Sequence, residues 1–266
     1  MGGFALIILP DEEEPEAAEV LVDGSVGGRP YRFLLDTGAA KSAILSDDYT
    51  AAFAAVERRT SSGVFASGSD DVILAPSIAL GPIVRRDFPV TRLAENTPHR
   101  RNLIGMDLLK DFSCHFLFDQ NRVEIDADDA PDASYHDLAL DSRFHPYVPL
   151  RFGAVTASAV WDTGAGITVA DMGFIARNPA LFQAAGQSQG TDSTGTSVAT
   201  PMFTMRGATV GEGALAPLRV AGVDLSGVNA AIETPMDIII GYNLMRAANW
   251  LMDFPRRRWA ISKRLV

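Results

Sequence analysis

Two carboxylates stand in the same four-residue setting, Asp36-Thr37-Gly38-Ala39 and Asp162-Thr163-Gly164-Ala165, 126 residues apart. Each follows an apolar, strand-like stretch, and a carboxylate at the end of a buried strand is costly to desolvate without partners. The same arrangement twice points to the two acids being each other's partners. Like charges about 3 Å apart cannot both ionise, so such a pair holds one proton and offers one acid and one base between neutral and acidic pH. That suits amide hydrolysis by an activated water: one carboxylate takes the water's proton while the other protonates or hydrogen-bonds the carbonyl oxygen, with no metal and no covalent intermediate. Thr37 and Thr163 place hydroxyls beside the pair, suited to hydrogen bonds that lock the two loops together. Gly38 and Gly164 allow backbone torsions and close approach that a Cβ hinders, leaving their N–H groups for the carboxylates.

The elements that position these residues come from a diverged internal repeat. The first copy reads as a hairpin, Val20–Val26, a Gly27-Gly28 turn and Tyr31–Leu35. The second reads the same way, Val148–Phe152, a Gly153-Ala154 turn and Thr156–Trp161. Each copy later has an apolar run into glycine and a helix-like stretch, Leu103-Ile104-Gly105 and Ile239-Ile240-Gly241. The Asp-to-Gly distance is 69 residues in the first copy and 79 in the second. The extra length is assigned to Asp171–Ala185, which reads as helix. Gly105 and Gly241 are structural, letting that block pack close behind the aspartate loop.

The chain has 266 residues, 47% of them hydrophobic, and a net charge of −10, the profile of a folded acidic protein of about two lobes. Its charge and short basic runs argue against a nucleic-acid partner. Its longest early apolar run, Phe4–Leu9, is far too short to span a membrane. The N-terminus lacks the basic region and apolar length of a secretory signal and turns acidic at Asp11. This predicts a cytoplasmic protein, or a periplasmic or secreted one if a signal peptide has been removed. The single cysteine, Cys114, leaves no intramolecular disulfide and no cysteine metal cluster, so neither a metal nor a cofactor is expected.

The paired Asp-Thr-Gly-Ala motifs, each followed by an apolar–apolar–Gly block at 103–105 and 239–241, resemble the aspartic proteases. Alanine after the glycine and Leu103–Leu109 bring the likeness nearer to retropepsins than to pepsins. Retropepsins carry one motif per chain and act as homodimers, so this chain resembles both halves fused. The resemblance implies a mostly β fold of two pseudo-symmetric retropepsin-like (acid protease) β-barrel lobes with short helices, and a monomer. The lobes would span 1–127 and 146–266, joined by an acidic, proline-containing linker at 128–145. It further implies an aspartic endopeptidase acting on peptide or protein substrates, with Asp36 and Asp162 catalytic and Thr37, Gly38, Ala39, Thr163, Gly164 and Ala165 supporting them. Each half should supply a flap, with tip candidates Gly63, Val64 and Phe65 in the first and Ser193, Thr194 and Gly195 in the second. No tyrosine lies between Tyr49 and Tyr135, so the flap tyrosine of pepsins has no counterpart in the first half. The alternative is a catalytically silent peptide-binding module of the same fold. The terminal strands, Phe4–Leu9 and Trp259–Leu265, are expected to pair in an interdomain sheet.

Other motifs carry less. Asp119 and Asp253 recur at matching places and read as strand or turn hydrogen-bonding groups. His99, His115, His136 and His145 show no metal-ligand spacing. Gly186–Gly190 spells a Gly-x-Ser-x-Gly elbow around Ser188 but lacks the strand before and helix after that an elbow needs. Gly211–Ala216 matches a dinucleotide fingerprint in letters only, since no βαβ unit surrounds it.

Overall fold

The computed structural model describes residues 2–62, 67–93, 100–126, 133–191 and 197–265. In the first half of the chain the strands are β1 (Gly2–Ala5), β2 (Ile7–Pro10), β3 (Ala18–Val26), β4 (Arg29–Leu35), β5 (Ala43–Leu45), β6 (Ala55–Ser62), β7 (Ser67–Leu80), β8 (Ile83–Leu93) and β9 (Asn102–Ile104). Helix α1 (Met106–Leu109) and strands β10 (Ser113–Leu117) and β11 (Arg122–Ile125) follow. The second half opens with β12 (His136–Asp137), β13 (Ala139–Leu140), β14 (Pro146–Tyr147), β15 (Leu150–Phe152), β16 (Val155–Ala157), β17 (Ala159–Trp161) and β18 (Val169–Asp171). It continues through α2 (Met172–Arg177), β19 (Phe182–Thr191), β20 (Ser197–Met205), β21 (Thr209–Val210), β22 (Gly213–Ala214), β23 (Leu218–Val223), α3 (Ser226–Asn229), β24 (Ile238–Ile240), α4 (Tyr242–Met245), β25 (Ala248–Asp253) and β26 (Arg258–Arg264). The protein is thus mostly β with short helices, and no helix among the described residues is long and apolar enough to cross a membrane.

Two eight-stranded sheets share one plan. Their orders are β2-β3-β4-β9-β5-β8-β7-β6 and β13-β14-β17-β24-β18-β23-β20-β19. The sense of pairing matches strand for strand. β4–β9 and β17–β24 are parallel, as are β5–β8 and β18–β23, while β5–β9 and β18–β24 are antiparallel. The central strands are short apolar runs because both of their faces are covered: Ile238, Ile239 and Ile240 are all buried, as are Ala159, Val160 and Trp161. Along β3 and β4 the buried runs Val20–Val22 and Phe33–Leu35 give way to exposed Asp23 and Arg32, which face each other across the pair.

The first hairpin forms where the sequence places it. Gly27 and Gly28 both have positive φ, +56° and +83°, as a tight two-residue turn between right-twisted strands requires. The second departs from expectation. The stretch 156–161 is broken at Ser158, whose N–H donates to Asp237 Oδ2 at 3.0 Å and whose carbonyl accepts the Asp237 N–H at 2.8 Å. β15 and β16 consequently leave the main sheet and form a four-stranded sheet with β21 and β22. The helix expected over 171–185 stops at Arg177. Residues 182–191 are strand β19, captured by pairing with β20, so tertiary pairing overrides local preference.

A six-stranded sheet, β1-β11-β10-β25-β26-β12, joins the two halves of the chain. Its seam is β10 against β25, with Cys114 opposite Met252 and Phe116 opposite Trp250. The terminal strands do share this sheet, but not as each other's partners: β1 pairs with β11, and β26 lies between β25 and β12. The chain turns at buried Leu6, so Ile7–Pro10 joins the first eight-stranded sheet instead. Of the connecting segment, 136–137 and 139–140 are strands paired with β26 and β14. A core of Phe116, Trp161, Trp250 and Trp259 lies beneath, with Trp161 edge-on to Phe116 at 4.7 Å.

Candidate active site

Asp36 and Asp162 each follow the last residue of a central strand, β4 and β17. Each backbone N–H is fixed by the neighbouring parallel strand, Asp36 to the Ile104 carbonyl at 2.9 Å and Asp162 to the Ile240 carbonyl at 3.0 Å. The chain then turns sharply, with Ala39 N–H on the Asp36 carbonyl and Ala165 N–H on the Asp162 carbonyl. The carbonyls of Ala39 and Ala165 in turn accept the first N–H of α1 and of α4, from Met106 and Tyr242, both at 2.8 Å.

The threonines lock one loop to the other. Thr37 N–H donates to Thr163 Oγ1 and Thr163 N–H to Thr37 Oγ1, both at 3.1 Å, and Thr37 Oγ1 donates to the Trp161 carbonyl at 2.8 Å. Both side chains are fully buried. The glycines serve close approach, not unusual torsion: neither has a left-handed φ, but a Cβ on Gly38 would overlap the Asp162 carboxylate, and one on Gly164 would lie 2.5 Å from Asp36 Cγ.

The two carboxyls are therefore brought together and hydrogen-bond to each other. Burial, reinforced by the charge of Asp162, holds the Asp36 carboxyl well above the usual carboxylate range. Asp162 is also raised, again by burial. It is opposed by two backbone donors on Oδ1, Gly164 N–H at 2.8 Å and Gly38 N–H at 3.0 Å, by its bond to Asp36 and by His145. The arrangement can hold one proton between two oxygens and activate a water against an electrophilic carbon.

Behind each loop lies a brace that the sequence reading passed over. Ser42 N–H and Oγ–H both donate to Asp107 Oδ1, at 2.9 and 2.7 Å, and Ser42 Oγ accepts the Gly105 N–H at 3.0 Å. Thr168 N–H and Oγ1–H donate to Asn243 Oδ1, both at 2.8 Å, and Thr168 Oγ1 accepts the Gly241 N–H at 3.1 Å. A signal was present. Ser42 and Thr168 each lie six residues after an aspartate, and Asp107 and Asn243 each lie two after the glycine of the repeated apolar–apolar–Gly block. Gly105 and Gly241 let these elements touch backbone to backbone: added Cβ atoms would lie 2.7 Å from Lys41 C and 2.7 Å from Thr168 N.

The flap tip candidates, Gly63, Val64, Phe65, Ser193, Thr194 and Gly195, lie outside the described residues. The hairpins leading to them are described, β6–β7 pairing out to Ser62–Ser67 and β19–β20 out to Thr191–Ser197. Ser188 lies inside β19 opposite Thr200, not on a strand-to-helix elbow. Gly211 makes the tight turn of the β21–β22 hairpin. Asp119 pairs with Lys263 at 2.7 Å and Asp253 with Arg258 at 2.9 Å, so they form no second acid pair. Cys114 is buried, its thiol pushed upward by desolvation, while its neighbour His115 bonds Ser262 Oγ at 2.7 Å. Among the described residues no group of three or more His, Cys, Asp or Glu side chains could hold a metal ion.

A search of the curated proteins returned no match. Residues 22–111 match the family described as "gag-polyprotein putative aspartyl protease", a stretch that contains Asp36, Ser42, Gly105 and Asp107 and ends before Asp162. With the geometry around Asp36, this match supports a retropepsin-like aspartic protease domain in the first half of the chain.

Proposed function

We propose that this chain is a single-chain aspartic endopeptidase whose two pseudo-symmetric lobes each donate one aspartate to a shared cleft. The observation that carries this reading is the meeting of Asp36 and Asp162, from strands of matching position in two sheets of matching order, with one hydrogen bond between them. The match to an aspartyl protease family supports peptide substrates. The bonded sheet seam and shared core support a monomer, since both aspartates come from one chain.

In this mechanism Asp162, the more exposed acid and the one pulled down by its bond to Asp36, is the base, and Asp36, pushed up by the same pairing, carries the proton. Asp162 takes a proton from water as the water oxygen adds to the peptide carbonyl carbon, and Asp36 gives its proton to the carbonyl oxygen. The tetrahedral adduct then collapses: Asp162 gives its proton to the amine nitrogen as the C–N bond breaks, and Asp36 takes a hydroxyl proton from the adduct, which leaves Asp162 ionised and Asp36 protonated as at the start. In this reading the β6–β7 and β19–β20 hairpins serve as the flaps that exclude water from the bound substrate.

Incubating the full chain with a denatured protein from pH 3 to 7, with and without a transition-state-mimicking aspartic-protease inhibitor, tests this. Inhibitor-sensitive cleavage that disappears in Asp36→Asn is expected. Inhibitor binding without cleavage at any pH would instead identify a silent peptide-binding module, and undiminished cleavage by Asp36→Asn would refute the dyad.

A further inference from the structure

The two halves of the site match in their threonines, glycines and braces but differ one strand outward. The residue 17 positions before Asp36 is Glu19, and the residue 17 positions before Asp162 is His145. These positions are equivalent in the sheets. The β3–β4 register sets Leu21 opposite Leu34, and continuing it sets Glu19 opposite Asp36. The β14–β17 register sets Tyr147 opposite Val160, supported by Val148 N–H on the Ala159 carbonyl, and continuing it sets His145 opposite Asp162. Residues directly opposed on antiparallel strands project to the same face about 5 Å apart. A potential anion thus flanks one aspartate and a potential cation the other.

His145 is built in. It is 6% exposed, its Nδ1 lies 2.7 Å from Asp141 Oδ2, and its N–H and that of Arg143 both donate to Asp141 Oδ1 at 2.9 Å. Around it stand Asp141 on the preceding turn and Asp162 beyond β17. The Tyr147 phenol faces Asp141 with Glu233 beside it, and Lys110, from the end of α1, stacks over neighbouring Phe144 at 5.5 Å. Glu19 by contrast is half-exposed and tied to Arg101 at 3.3 Å, which mutes its charge. The two sides of the dyad therefore differ in the ionisable group beside them, and the electrostatic effect of His145 on Asp162 favours its ionised form.

Building on the proposed peptidase reading, we propose that His145, oriented by Asp141, is a positioning residue that makes Asp162 the ionised base and leaves the shared proton on Asp36. Asp141 holds the ring at Nδ1, 2.7 Å away, and any positive charge the ring carries favours the ionised form of Asp162 over that of Asp36.

The test is a carboxyl 13C NMR titration of the aspartate-labelled full chain, read at the lower of the dyad's two steps, alongside the acid limb of kcat/KM. His145→Gln removes the cation and should raise that step by about half a pH unit or more. Asp141→Asn keeps the acceptor for both backbone N–H groups while uncovering the cation, so the step should stay or fall. Opposite responses cannot come from general loosening of the turn. A step unmoved in His145→Gln, or raised by Asp141→Asn, overturns the proposal, and should His145→Gln not fold, the Asp141→Asn result decides alone. A wild-type chain that titrates as described but cuts nothing would sink the peptidase reading and leave the role of His145 standing.

Discussion

Asp36 and Asp162 are chemically alike in sequence and unlike in place. Both receive backbone N–H donors, but Asp36 is 7% exposed and pushed up by burial and its partner's charge, whereas Asp162 is partly exposed and its bond to Asp36 pulls it down. Because Asp36 is raised in the folded chain, the fold binds that proton more tightly than the unfolded chain does. The stability gained is complete below the ordinary carboxylate range and is lost as pH rises through the raised value. Asp36→Asn, neutral at every pH, should therefore melt above wild type at pH 7, with the gap closing toward pH 4. Thermal unfolding at both values checks this, and a variant less stable than wild type at pH 7 would count against it. The same raised acids predict a bell-shaped kcat/KM profile, falling at low pH as the second carboxylate takes up a proton and at high pH as the shared proton is lost.

At the scale of elements, the dyad is only as rigid as the turns behind it. Ser42→Ala strands the Gly105 N–H and part of the buried Asp107 carboxylate, which burial already raises. A loss of about 1–3 kcal/mol is expected by chemical denaturation. Thr168→Val should cost a similar amount against Asn243 and Gly241, while an effect on Ser42 alone would show that the braces are not equivalent. Gly105→Ala forces a methyl onto the Lys41 and Ala39 backbone, which has no side-chain end to yield, and should cost about 1–3 kcal/mol with a fall in cleavage.

These elements also show what the sequence could tell. The aspartate loops and glycine blocks were legible because identical letters recur in identical order. The braces were not, because Ser pairs with Thr and Asp with Asn at the repeated offsets, and types that differ by a methyl or an amide hide a shared geometry. Glu19 and His145 were hidden more deeply, since opposite charges at one offset look like divergence. The first residues of β19, 182–185, read as helix because Gln183-Ala184-Ala185 has no local bias against helix, and only the partner β20 makes them strand. The break at Ser158 depends on Asp237, 79 residues away, a distance no local pattern spans.

For the whole molecule, two further connections among the described residues join the halves besides the threonine lock, so that the carboxyls meet. One is the six-stranded sheet with its aromatic core. The other is the segment before β3: Ala18 N–H donates to the Gly166 carbonyl at 3.2 Å, and buried Glu14 receives Arg219 Nε at 2.9 Å. Arg219 also donates to the Ala185 carbonyl in β19, linking that segment to the β19–β20 hairpin. Arg219→Ala should cost about 1–3 kcal/mol, measured by denaturant unfolding, and a neutral result would assign the joining of the halves to the sheet and the threonine lock. The central claim is that one catalytic unit is assembled from both halves, and Asp162→Asn tests it most directly because Asp162 lies beyond the family-matched stretch 22–111. The account predicts that this single change lowers kcat/KM on a peptide substrate by about 100-fold or more with the fold intact; cleavage at the wild-type rate would contradict it.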